Sequence, residues 1–166
     1  MNVGVLVGNP KPASRTAGVG REVARRLSGQ ESVRVIDLAA ETGPGLLTWG
    51  DPDVERLITE VQGAELLIVA SPTFKATYTG LLKLFLDQVP TGSLDAVTAI
   101  PVMVGGSPSH ALAAELHLKP LLVELGARCP TPALYVLEDD CEALTVLDGW
   151  LALALRQVRS DVRRRP

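Results

Sequence analysis

Hydroxyls, a flat ring and a cation crowd into Ser71-Pro72-Thr73-Phe74-Lys75-Ala76-Thr77-Tyr78-Thr79-Gly80. Ser71, Thr73, Thr77 and Tyr78 supply hydroxyls, Phe74 the ring and Lys75 the charge. The apolar run Leu66-Leu67-Ile68-Val69-Ala70 precedes them, and a helical pattern follows. A strand that feeds a polar loop and then a helix is how open α/β sheets build ligand sites. This mix suits a planar, polar ligand better than a metal or a peptide. The plainer account is an ordinary turn with Phe74 and Tyr78 packed in the core.

A second group is Gly8-Asn9-Pro10-Lys11-Pro12-Ala13-Ser14-Arg15-Thr16. Amides at a helix start, with the helix dipole, attract an anion. Ser14 and Thr16 add hydroxyl donors, and Lys11 and Arg15 add charge. A phosphate is the natural guest, and a simple helix cap with two solvated cations is the alternative. The loop lacks Gly-x-Gly-x-x-Gly, which argues against a dinucleotide Rossmann site. It also lacks Gly-Lys-Ser/Thr, so it is not a nucleoside-triphosphate P-loop. The third group is Gly105-Gly106-Ser107-Pro108-Ser109-His110. Two glycines let backbone approach a flat ligand. His110 could donate to a carbonyl or simply sit at a helix start.

Alternating strands and helices must position these groups. Val3–Val7 reads as a first strand, and a helix from Ser14 carries Val19, Val23 and Leu27 on one stripe. Val33–Asp37 is a second strand, followed by a Gly/Pro-rich loop. Asp51 caps a helix with Pro52 at its first position. Val54, Leu57, Ile58 and Val61 form its apolar face. Leu66–Ala70 is the third strand and Tyr78–Gln88 the third helix. Val97–Val104 is the fourth strand, bulged or with a free backbone position at Pro101. A helical pattern runs on to Gly126, disturbed at Pro120. Ala133–Val136 is the fifth strand, and a last helix spans about Glu142 to Arg159. Five such alternations predict a parallel sheet covered on both faces, a three-layer α/β/α sandwich.

The chain has 166 residues, 46% apolar and 21% charged, with net charge −3. That predicts one domain over residues 1–160, with a basic, frayed tail at 161–166. The charge offers no field for nucleic acid. Cys129 and Cys141 lack metal-site or redox spacing and read as free thiols in a reducing compartment. No apolar stretch is long enough to span a bilayer, and no secretory signal is legible at the start. A cytoplasmic protein without membrane or nucleic-acid partners is expected.

Together the three groups resemble the NADPH-dependent FMN reductase family. The likeness is greatest to the flavin reductase components of two-component alkanesulfonate monooxygenases. It covers about the first four-fifths of the chain. Pro72-Thr73-Phe74-Lys75-Ala76-Thr77-Tyr78-Thr79-Gly80-Leu81-Leu82-Lys83 follows the family's Pro-x-Tyr-Lys-x-x-Tyr-x-Gly-x-Leu-Lys, with Phe74 in place of tyrosine. Gly105-Gly106-Ser107 through His110, then Leu118-Lys119-Pro120, match a second block. Gly8 to Thr16 matches a Gly-Ser-Pro-x-x-x-Ser-x-Thr theme, with Asn9 replacing serine.

The resemblance implies a flavodoxin-like fold of strand order 2-1-3-4-5, non-covalent FMN, and NADPH or NADH as hydride donor. It assigns Asn9, Lys11, Ser14, Arg15 and Thr16 to the FMN phosphate. Pro72, Thr73, Phe74 and Lys75 line the isoalloxazine and ribityl chain. Gly105, Gly106, Ser107 and His110 approach the ring's polar edge. It names no catalytic side chain, because the flavin carries the chemistry. In flavin-releasing members an aromatic or histidine residue, with a π-type bulge, commonly precedes the Leu-Lys/Arg-Pro block. Leu116 stands at that place here, beside His117. The resemblance therefore reaches FMN binding more directly than flavin release. A flavin-dependent monooxygenase is an implied partner. The competing expectations are an FMN-retaining quinone, azo or metal-ion reductase and a flavodoxin-type electron carrier. The carrier role is poorly served by a net charge of −3. Leu81, Leu82, Leu84, Phe85 and Leu86 leave the third helix apolar nearly all round, which predicts a homodimer or homotetramer.

Overall fold

The apolar runs pair side by side into one parallel sheet of order β2-β1-β3-β4-β5. Its strands are β1 (Val3–Val7), β2 (Arg34–Asp37), β3 (Leu66–Pro72), β4 (Thr98–Gly105) and β5 (Leu134–Leu137). The helices are α1 (Arg15–Ser28), α2 (Leu38–Glu41), α3 (Pro52–Gln62), α4 (Gly80–Leu86), α5 (Lys119–Glu124) and α6 (Val146–Arg163). This computed structural model describes residues 1–163, so residues 164–166 of the basic tail expected at 161–166 lie outside the described residues. Asp161 itself is in α6, and its carboxylate accepts from Thr98 Oγ1 and Arg128 Nε.

Alternation along each strand divides the core in two. Val3, Val5, Val7, Ile68, Ala70, Ile100 and Val102 pack with α1 and α6. Leu6, Leu67, Val69, Ala99 and Met103 pack with α3, α4 and α5. The α3 stripe, Val54, Leu57, Ile58 and Val61, is fully buried, and Asp51 Oδ1 caps the helix through the Asp53 and Val54 amides. The three-layer flavodoxin-like sandwich expected from the sequence is the observed fold.

Pro101 sits in β4 without a bulge. The register from Leu66↔Thr98 to Pro72↔Val104 is unbroken. Thr98 N donates to Glu65 O on the β3 side, and Ala99 N to Arg128 O on the β5 side. Pro101 shares the parity of Ala99, so its missing N–H faces the β5 side. There β5 pairing begins only at Val102↔Leu134. Proline therefore stands just before the pairing with β5 begins, where a missing donor breaks no registered bond between the two strands.

Three helices depart from the expected boundaries. The third begins at Gly80 rather than Tyr78, because Thr79 is its cap and the Thr79 amide is taken by Ser71 Oγ at 3.1 Å. The pattern expected to run on to Gly126 divides into a 3-10 turn at Pro108–His110, a π turn at Ala114–Leu118, and α5. Pro120 explains the division: it has no N–H, and its ring excludes the carbonyl of a preceding regular turn. Lys119 N accordingly reaches back to Ala114 O, widening the helix. So a π segment forms here with Leu116 in it. The last helix begins at Val146, not Glu142. Leu144 adopts φ 51°, and the Asp140 carboxylate takes the Thr145 and Val146 amides.

Among the described residues no helix is long and apolar enough to cross a membrane. Both cysteines are free thiols, and burial pushes the Cys129 thiol up to about 11.

Candidate functional site

The three chemistry-bearing loops emerge together at the carboxyl ends of β1, β3 and β4. The β1 loop starts at Gly8, which leaves the sheet directly under α4. A Cβ there would lie 2.4 Å from Leu82 Cβ, so only glycine permits this approach. Asn9 then organises the loop: its Nδ2 donates to Thr16 Oγ1 at 3.0 Å, and its Oδ1 accepts the Lys11 amide at 2.9 Å. Ala13 is held at φ 50° with its amide on Asp37 Oδ2, 2.9 Å away at the end of β2. Ser14 caps α1 by accepting the Ala17 amide at 3.3 Å. Its hydroxyl hydrogen remains free to donate, and the first-turn amides have no helical acceptor. Asn9, Lys11, Ser14, Arg15 and Thr16 all line one cavity of about 240 Å³. The expected phosphate-binding set is thus brought together.

The β3 loop is built on Ser71 and Thr79. Thr79 Oγ1 donates to Gly8 O and accepts the Leu82 amide, while Thr79 N donates to Ser71 Oγ. This buried hub joins the first loop to the second. Between them, Phe74 and Thr77 exchange backbone hydrogen bonds across a tight turn. Its central residues, Lys75 (φ 52°) and Ala76 (φ 67°), both lie in the left-handed region. That is the requirement of a type I′ turn, normally met by Asn and Gly. Phe74 is 52% exposed and forms a rim with Lys75 rather than a wall.

Thr73 continues the sheet, donating its amide to Val104 O at 2.7 Å. Its hydroxyl is buried without a hydrogen-bond partner, turned toward Gly105. A Cβ on Gly105 would lie 3.0 Å from that hydroxyl and 2.0 Å from Tyr135 Oη. Tyr135 in turn donates to Ser107 O at 2.8 Å, which fixes the third loop from β5. His110 ends the 3-10 turn half-exposed, and its imidazole has no hydrogen-bond partner among the described residues.

Two residues at this edge escape the sequence reading. Tyr135 read only as part of a strand. Glu138, the first residue past β5, reaches Arg15 Nη2 at 3.1 Å and lines the same cavity as Asn9 and Ser14. The available signal was positional: residues just past a parallel strand face the ligand edge. A fifth strand ending at Val136 hides it.

Similarity to known proteins agrees with this arrangement. The profile of a family described as NADPH-dependent FMN reductase matches residues 1–140. An FMN reductase (NADPH) of Escherichia coli (strain K12) is 33% identical over 131 residues, covering 77% of this chain and 69% of its own. The NADH-dependent FMN reductase SfnF of Pseudomonas putida is 30% identical over 142 residues, 81% of this chain and 76% of its own. Among solved structures, the apo form of an NADH:FMN oxidoreductase (EMOB) superposes with a TM-score of 0.86 at 27% identity. That match covers 99% of this chain and 91% of the other.

Proposed function

This chain belongs to the NADPH-dependent FMN reductase family, and we propose that the three loops at its carboxyl edge are where it handles flavin. It is an oxidoreductase that passes hydride from NADPH or NADH to FMN. FMN supplies the hydride acceptor when bound, and the protein supplies position and electrostatics.

The observation that carries the site assignment is the gathering of Asn9, Lys11, Ser14, Arg15 and Thr16 around one cavity at the start of α1. Hydroxyls, free amides and two cations form a donor set for a phosphate. The unpartnered Thr73 hydroxyl and the side-chain-free strip at Gly105–Gly106 fit the polar edge of a flat ring. Pro72 and Phe74 give it apolar surface, Lys75 a cation at the rim, and Ser107 and His110 close the far side. Holding nicotinamide and flavin face to face contributes through proximity and orientation, so no side chain is required as acid or base.

The assembly reading is a homodimer or homotetramer. It is supported by exposed Leu47 and Trp49 and exposed Leu84, on the two segments that Gln88 Nε2 ties together through Leu46 O. Leu112, Leu116 and Val123 form a second exposed apolar stretch along the π turn and α5. A cytoplasmic setting fits the two free thiols. A flavin-dependent monooxygenase is the natural consumer of reduced flavin.

The test is NADPH and NADH oxidation by purified protein with and without added FMN. Turnover that requires added FMN marks the flavin as a released substrate. Negligible turnover in both conditions would overturn the reading.

A further inference from the structure

Glu138 is out of place in a phosphate site. It opens the acidic turn Glu138–Asp140 at the end of β5. Its Oε2 accepts from Arg15 Nη2 at 3.1 Å, and it lines the cavity that Asn9, Lys11, Ser14 and Thr16 also line. It reaches the third loop as well: a Cβ on Gly106 would lie 3.9 Å from the Glu138 carboxyl carbon. The two paired side chains are 63% and 46% exposed, so the pair contributes little to holding the fold. A carboxylate beside a phosphate group repels it, and it occupies a cation that phosphate would otherwise have to itself.

We propose that Glu138 is a competitor for the FMN phosphate, weakening flavin retention through Arg15 so that FMN leaves readily. The proposal rests on the reading that the start of α1 holds the phosphate. In that reading Lys11, Ser14 and the helix amides draw FMN in, while Glu138 limits how firmly Arg15 grips it. The enzyme's hold on flavin is then set by one carboxylate outside the phosphate loop. Because the opposition is aimed at the phosphate, it acts on FMN and leaves riboflavin untouched.

Equilibrium titration of flavin fluorescence with FMN and with riboflavin tests this in wild type, Glu138→Gln, Arg15→Gln and Ser14→Ala. Glu138 is exposed at a turn, and unchanged melting confirms that its variant folds. Glu138→Gln is expected to tighten FMN about tenfold, the size of a single charge contact, with riboflavin unchanged. FMN dissociation measured by stopped flow slows to match. Unchanged or weaker FMN binding, or equal tightening of riboflavin, would overturn the proposal. Arg15→Gln and Ser14→Ala separate the two layers. If they weaken FMN but not riboflavin while Glu138→Gln has no effect, the phosphate site stands and the competitor role fails. If they leave the ratio of FMN to riboflavin affinity unchanged, both fail.

Discussion

At the amino edge of the sheet, the turns from helix to strand place glycine where the backbone is left-handed: Gly29 (φ 73°), Gly92 (φ 77°) and Gly126 (φ 97°). At the carboxyl edge the same region is occupied by Ala13, Lys75, Ala76 and Leu144, every left-handed non-glycine residue among those described. The connection from β2 to α3, with Gly43 and Gly50, is the glycine-bearing exception at that edge. A side chain in this region costs about 1–2 kcal/mol per residue. Neighbouring bonds impose it: Ala13 N on Asp37, Phe74 with Thr77, and Leu144 N on Asp140 O. One edge is relaxed and only closes the fold. The other keeps strain where the proposed flavin loops lie, as functional sites commonly do.

The largest test of that contrast is Gly126→Ala. Its Cβ would meet Gly92 backbone at 3.0 Å while sitting at φ 97°. A loss of about 3 kcal/mol is expected from strain plus overpacking. Denaturant unfolding measures it, and FMN affinity of the folded fraction should not move. A parallel loss of affinity would erase the distinction between the edges. Next comes Thr79→Val at the hub between the first two loops. It removes a helix cap and leaves Gly8 O without its donor, about 2 kcal/mol together. Here stability and FMN affinity should fall together, read by unfolding and by flavin titration.

A control lies between the edges, midway along α1. Arg25 and then Arg26 hydrogen-bond Glu22 and hold its carboxyl down to about 2, from an ordinary 4.5. A lowered folded pKa stabilises above the unfolded value and is lost as pH falls through the folded one. Wild type should therefore lose about 1 kcal/mol between pH 4.5 and 2, a modest figure because the pairs are partly exposed. Glu22→Gln should flatten that part of the stability profile without touching flavin binding. The smallest effect is expected from Ala76→Gly, which relieves strain but loosens the unfolded chain. A net gain of about 0.5 kcal/mol should appear as a slightly higher Tm. FMN affinity should hold or fall. A rise would show that the strained turn opposes binding rather than preparing it.

Sequence patterns made the relaxed parts legible. Apolar runs marked all five strands, the 3.6-residue stripe marked α3, and Asp51-Pro52 marked its start. Local chemistry also placed Ser14 at the cap of α1. What escaped depends on reach across the chain. Asp140 delays α6 by binding amides five and six residues on. Tyr135 and Glu138 act through partners at Ser107 and Arg15, which no local pattern connects to them. The π turn was foreshadowed by the family resemblance around Leu116 and, in local chemistry, by Pro120, whose effect on helix geometry depends on how the preceding carbonyls can move aside.

Pro101 has a bearing on how the chain avoids sticking to its copies. β5 is the last strand in sequence, and until it docks β4 is an open edge. The row facing outward there includes Ala99, Pro101 and Met103. An intruding strand needs donors along such a row, and proline removes one from its middle. The folded protein loses nothing by this, because its own fifth strand starts one residue later.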